Sequence, residues 1–188
     1  MVVYNYINNS INHKNGILKK EVNSLSKIAF PNPIEISNMS KADARCNIEF
    51  NILPYRDVSE SLIANRYILK NRYIKAFFSR KYKTDMLDSP DHLIFLTSLV
   101  HLQKMIYIYL CYEFGYPITL SGKEKLKIWP TKINIDMKNM ITQNKNLSQS
   151  IEIKALKKTG KKSYFGKCFS LINNGEATIT ADAVIYIL

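Results

Sequence analysis

The segment from Ser89 to Phe114 constrains this chain more than any other. Ser89-Pro90-Asp91-His92 opens like a helix: serine is a favoured cap, proline suits the first helical position, and an aspartate in the first turn complements the positive end of the helix dipole. The run beyond it predicts about 24 helical residues, ended at Gly115-Tyr116-Pro117 by a glycine and then a breaker. Leu96, Leu99, Gln103, Ile106 and Leu110 hold one stripe. Phe95, Val100, Leu102, Tyr107, Ile108 and Cys111 carry apolarity nearly all the way round. A helix apolar on most faces has to be wrapped by other elements. Thr97, Ser98, His101, Gln103 and Lys104 interrupt Leu93–Leu110, so the run falls short of a membrane span.

The chain beyond the helix has the period of strands. Lys132–Met137 alternates, as does Ile151–Ala155; Ser163–Ile172 is a longer aromatic strand, and Ala177–Leu188 closes the chain with Ile179, Ala181, Ala183, Ile185 and Ile187 on one face. Thr159-Gly160-Lys161-Lys162 marks one turn. Asn173-Asn174-Gly175 marks another, read as a type I′ hairpin whose central residues need positive φ. Lys138–Ser150 is polar enough for a mobile loop.

Ahead of the helix, Cys46, Ile48, Phe50 and Ile52 alternate with Asn47, Glu49 and Asn51, predicting a half-buried strand. Residues 58–83 suit a helix or a strand equally, with Tyr73–Phe78 extended on aromatic content. Residues 1–43 read as an extension carrying a short amphipathic helix at about 17–29, stopped by Pro31-Asn32-Pro33, and residues 44–188 as the main domain.

Composition fits one such domain. At 188 residues and 46% hydrophobic, the chain can build a core without disulfides or metal. Its three cysteines, Cys46, Cys111 and Cys168, are far apart among apolar neighbours, as buried free thiols in a reducing compartment would be. The start, Met1–Tyr6, lacks a signal peptide's basic opening and apolar stretch, so the expected location is cytoplasmic. The net charge of +12 is spread evenly, at between +2 and +4 in each successive stretch of about fifty residues. That speaks against nucleic acid, which would require basic residues converging on one face with exposed aromatics between them. The acid-free run from Arg66 to Lys83 is the local exception, read as a solvated strand face or an anion-docking face.

A single apolar helix enclosed by a curved antiparallel sheet, with long final strands in a meander, resembles the α+β hotdog fold of acyl-thioester hydrolases and hydroxyacyl-thioester dehydratases. The resemblance covers roughly 44–188 and rests on element order and on Asp88-Ser89-Pro90-Asp91-His92-Leu93. The branches it is most similar to are the FcoT-like long-chain acyl thioesterases and the avirulence D and A-factor synthase group of natural-product biosynthesis. It implies a fatty-acyl substrate carried on coenzyme A or on the phosphopantetheine of an acyl carrier protein, with no other cofactor and no metal. It also implies a homodimer joined sheet edge to sheet edge, with the site near the helix opening. Two departures stand out. Ile94 occupies the place of an asparagine in the thioesterase branch, and the dehydratases' His-Phe-Pro-Gly pattern is absent.

The chemistry can be stated from the residues. Cleaving a thioester requires donors that polarise its carbonyl, which amides at a helix start supply, and a base that activates water. Asp88, Asp91 and His92 are the candidates for that base. Each also has a structural reading: Asp88 as a rival cap, Asp91 as a dipole partner, His92 as a donor to a backbone carbonyl. Ser98 and Gln103 are candidates for orienting water or substrate, and His101 reads as a buried, satisfied histidine. Arg72, Lys75 and Arg80, from the basic run, are candidates for receiving the carrier's phosphates. The expected activity is hydrolysis of an acyl thioester. The alternatives are a binding or assembly subunit without chemistry, and a dehydratase or acyltransferase.

Overall fold

The computed structural model describes residues 33–37, 47–53, 58–84, 91–116 and 125–188. The expected helix at 17–29, Cys46, and the Asp88-Ser89-Pro90 opening lie outside the described residues. Among the described residues, eight strands and one long helix succeed one another in chain order: β1 (Ile34–Ser37), β2 (Asn47–Leu53), β3 (Val58–Lys70), β4 (Tyr73–Lys83), α1 (Phe95–Phe114), β5 (Leu126–Met137), β6 (Leu147–Lys158), β7 (Ser163–Ile172) and β8 (Ala177–Ile187). All pair antiparallel into one sheet of order β1-β3-β4-β6-β7-β8-β5, with β2 sharing the outer edge of β3 with β1. One helix laid on an antiparallel sheet, entered from β4 and left through the far edge strand β5, makes the fold α+β and hotdog-like.

The ambiguous segment 58–83 is a two-stranded hairpin. Its turn at Asn71-Arg72, with Arg72 at φ 57°, reverses the chain, and the sheet buries alternate residues Ile74, Ala76, Phe78 and Arg80. Strand β1, which precedes Arg45, joins the sheet through Ile34↔Leu69 and buries Ile36. Lys138–Ser150 is not one loop. Ile141 and Leu147 anchor it in the core, and Leu147–Ser150 opens β6 beside β4. The turn after β7 is longer than a type I′ hairpin: Asn173, Asn174 and Gly175 all take positive φ, and Glu176 completes a four-residue connection.

The long helix differs from expectation in two ways. It begins at Phe95, so Asp91 is not in its first turn. Nor is it enclosed: Phe95, Val100 and Gln103 are exposed, while Thr97, Ser98 and His101 are buried with Met105, Ile108 and Leu110. The end falls where glycine was expected. Gly115 sits at φ 70° and the Tyr116 N–H returns to the Cys111 carbonyl at 2.7 Å. Strand β5 is longer than the sequence suggested and passes through Pro130 at a register shift, which an edge strand tolerates because no ladder bond is lost on its open side.

Candidate functional site

The start of α1 is built from three directions. Inward-facing positions of β3 and β4 place Glu60 and Arg80 in the core, each with a side chain fully shielded from solvent. Arg80 Nε donates to Glu60 Oε1 at 2.7 Å, Nη1 to the Gln143 carbonyl at 3.3 Å, and Nη2 to Asp91 Oδ1. The other Glu60 oxygen accepts the Ile94 N–H at 3.1 Å, at the residue that caps α1. A buried carboxylate from another strand thus supplies the negative charge that a helix start favours, which is why no local side-chain cap is present. The segment before β6 closes the ring: Ile141 O accepts the Leu93 N–H at 2.8 Å, Asn144 O accepts the Arg80 N–H at 2.9 Å, and Asn144 Nδ2 donates to Asp91 Oδ2 at 3.3 Å.

The predicted site residues divide around this network. Asp91 stands just outside the helix with its side chain half exposed, both oxygens engaged by Arg80 and Asn144. His92 is half-buried beside it. Asp88 lies outside the described residues. Ser98 is buried, and its hydroxyl donates to the Ile94 carbonyl at 3.2 Å. Gln103 points to solvent. The three cations read as a phosphate site do not meet. Arg80 is buried in the ion network. Lys75 lies on the opposite face of the sheet, 4.9 Å from the Phe77 ring. Arg72 is at the other end of the helix, where its N–H donates to the Tyr109 hydroxyl at 3.1 Å. Its position about 20 Å from the helix start reflects fourteen residues of helical rise. A strand's alternation sends neighbouring cations to different faces, so a run in sequence is not a patch in space.

Sequence reasoning missed Glu60. The available signal was its place among Val58, Leu62 and Ala64 at alternate positions, an acid where the period of a strand calls for an apolar residue. A second polar group lies deeper. Gln149 Nε2 donates to Ser170 Oγ at 3.0 Å, so its Oε1 faces His101 Nδ1 at 2.8 Å and accepts the proton there. Burial lowers the His101 pKa to about 4, against the support of Gln149, which keeps the imidazole neutral at pH 7; with Nδ1 as the donor to Gln149, the lone pair lies on Nε2. Its ring meets Phe78 edge-on at 4.9 Å. Nε2 and the Thr97 hydroxyl, one turn earlier, are buried without hydrogen-bond partners among the described residues. His101 is thus satisfied on one side only.

Beside the helix start, an apolar hollow is bounded by Leu93, Phe95, Ser98, Ile135, Met137 and Ile179. A second, of about 30 Å³, lies further along the inner face of β8, between Ile106 and Leu110 on the helix and Gly166, Cys168, Ala181 and Ala183 on the sheet. The small residues make the room: a Cβ on Gly166 would stand 3.0 Å from Ile185 Cδ1. Cys111 and Cys168 are free, and burial pushes both thiols up to about 11, so neither offers a thiolate at neutral pH. No cluster of three or more His, Cys, Asp or Glu side chains suited to a metal is present among the described residues. No helix there is long and apolar enough to cross a membrane.

No family model matches this chain, and no curated protein matches it. Solved structures do. A mutant of thioesterase PA1618 from Pseudomonas aeruginosa is similar at 8% identity and TM-score 0.41, over 68% of this chain and 81% of that one. Thioesterase HI1161 from Haemophilus influenzae is similar at 9% and 0.40, over 64% and 74%. AziG from S. sahachiroi is similar at 10% and 0.40, over 62% and 84%. Likenesses this distant bear on neither the reaction nor its residues.

Proposed function

We propose that this chain is an acyl-thioester hydrolase of the hotdog type, acting on a fatty-acyl group carried by coenzyme A or an acyl carrier protein. The observation that carries the reading is the apolar surface between α1 and the inner face of β8, where two small hollows of about 10 and 30 Å³ mark the course an acyl tail would take from the polar helix start. From Ala177 to Ile185 the strand's rise gives this surface a length of about 27 Å, and an acyl chain would have to part the helix from the strand to occupy it. At the mouth, the N–H groups of Phe95, Leu96 and Thr97 precede the first intrahelical bond, Ser98 N–H to Ile94 O. In this reading they hold the thioester's carbonyl oxygen as charge develops on it. His92 or Asp91 takes a proton from water, and the hydroxide equivalent adds to the carbonyl carbon. The thiolate then leaves and is protonated. Two copies join along β5, whose open edge carries exposed Ile133, Ile135 and Met137, and the partner copy covers the hollow at the helix start.

A second reading, a binding or assembly subunit without chemistry, is favoured by one observation: both Asp91 oxygens already have protein partners. Free-thiol release from acyl-coenzyme A thioesters of graded chain length separates the two. Turnover that falls 100-fold or more in His92→Ala or Asp91→Asn supports the hydrolase with this site. Turnover surviving both substitutions overturns the site assignment, and none on any thioester, free or carrier-bound, overturns the hydrolase.

A further inference from the structure

The face of the sheet opposite α1 is covered by no other helix among the described residues, and strand pairing fixes which side chains share it. Lys70↔Tyr73, Tyr73↔Glu152, Glu152↔Phe169 and Phe169↔Thr180 form one row across it. Phe165↔Val184 and Val184↔Trp129 form another, and Arg66↔Phe77 a third. Trp129, Phe165, Phe169, Tyr73 and Phe77 therefore make a diagonal aromatic band across the sheet, in steps of roughly 10–14 Å by strand spacing and rise. Trp129 is 60% exposed and the others are half-buried.

Cations are interleaved with the rings. The Arg66 guanidinium lies 4.1 Å from the Phe77 ring centre, Lys70 Nζ 4.7 Å from Tyr73, Lys154 Nζ 5.8 Å from Phe169 and Lys127 Nζ 5.9 Å from Trp129. The carboxylates on this face do not balance them. Glu35, Glu152 and Asp182 are each answered by one cation (Arg66, Lys154 and Lys167) and Asp136 on β5 adds a further negative charge, while Lys75, Lys127, Lys132 and Lys157 have no carboxylate within ion-pair distance among the described residues. A trough of about 320 Å³ lies within the patch, lined by Lys132, Lys154, Lys167, Asn134, Phe169 and Asp182.

We propose that this outer face binds single-stranded nucleic acid, with unstacked bases on the aromatic band and phosphates on the lysines between. Aromatic faces spaced across a sheet match bases, which present π-faces at intervals along a flexible anion. An acidic protein would satisfy the lysines but leave the band unused. The function is separate from the thioester site, which lies on the helix side of the sheet. An even charge along the sequence converges here because alternation sends every second residue of each strand to one surface.

The test is fluorescence anisotropy on the full chain with labelled oligo-dT, oligo-rU and a duplex of equal length, at 50 to 200 mM salt. Both single strands bind, the duplex at least about tenfold more weakly, and the slope of log K against log salt is about −2 to −3.5 for three to five phosphates. Trp129→Ala, at an exposed position, and Phe169→Ala each weaken binding about tenfold with the slope unchanged. Lys132→Gln and Lys167→Gln flatten the slope. The ratio of oligo-rU to oligo-dT affinity tells which nucleic acid is the ligand. No binding to either strand at 50 mM salt, equal binding to duplex, or full binding by a folded Trp129→Ala protein would falsify the proposal. The last result would mean that the lysines alone hold the phosphates and that no base stacks on the aromatic band.

Discussion

Over its first two turns α1 buries Thr97, Ser98 and His101 and is held by the Glu60–Arg80 pair, whereas over its last two it buries Ile108, Leu110 and Cys111 and is held mainly by packing, with the Tyr109 hydroxyl bonded to the Arg72 N–H and to Glu113. The two halves belong to one helix on one sheet, yet their stability has different origins. The far half gains from apolar area removed from water, which tolerates imprecision. The near half depends on each buried charge and hydroxyl finding a partner, and there a single loss is expensive. A hydrocarbon tail and a reacting carbonyl require the same division, which is why the polar mouth and apolar line of the proposed site fall on these two halves.

Breaking the near half has the largest expected effect. Arg80→Met leaves Glu60 buried and unpaired, and chemical denaturation should show a loss of about 3–5 kcal/mol; Glu60→Gln combined with Arg80→Met should recover part of it. Acid comes next. His101 is neutral when folded with a pKa of about 4, against 6.5 when unfolded, so the unfolded chain takes up the proton first as pH falls. The stability it contributes is intact above pH 6.5 and drains away down to pH 4, by roughly 3 kcal/mol. Melting curves of wild type and His101→Gln should converge across that window; parallel curves would show that His101 is not held neutral.

Substitution in the far half is milder. Ile108→Val removes one buried methylene and should cost about 1 kcal/mol at all pH values, a contrast with the acid-dependent loss at His101. Smallest, and opposite in sign, is Thr97→Val. The change preserves β-branching and deletes a hydroxyl without a partner, so it should stabilise the fold by up to about 1 kcal/mol. A loss of that size would mean the hydroxyl is satisfied, by internal water for example, and the near half is more completely paired than the protein atoms alone indicate.

Much of the architecture was legible from periodicity. Alternation located the strands after α1 because a half-buried strand must repeat every two residues, and Gly115 marked the helix end because a left-handed residue is required there. The helix start was not legible. Ser89-Pro90-Asp91 satisfies every local rule for a cap, yet Asp91 and His92 stand outside the helix, with Ile94 bound to a carboxylate thirty-four residues earlier in the chain. Local rules weigh neighbours in sequence, and the Glu60 charge arrives from another strand. The basic run misled for the same reason, its members dispersing to two faces and a hairpin tip.

The sequence by itself determined that one helix would lie against an antiparallel sheet, because its apolar residues recur with only those two periods and the turns between them need residues that take positive φ. Tertiary structure alone decided which polar residues would meet. Glu60, Arg80 and Asp91 converge at the helix start, His101 meets Gln149 and Ser170 in the core, and lysines from separate strands gather on the outer face. Apolar burial depends on amount and period, which a sequence displays directly; a hydrogen bond or ion pair depends on distance and direction between atoms far apart in the chain, which exist only once the sheet has set its register.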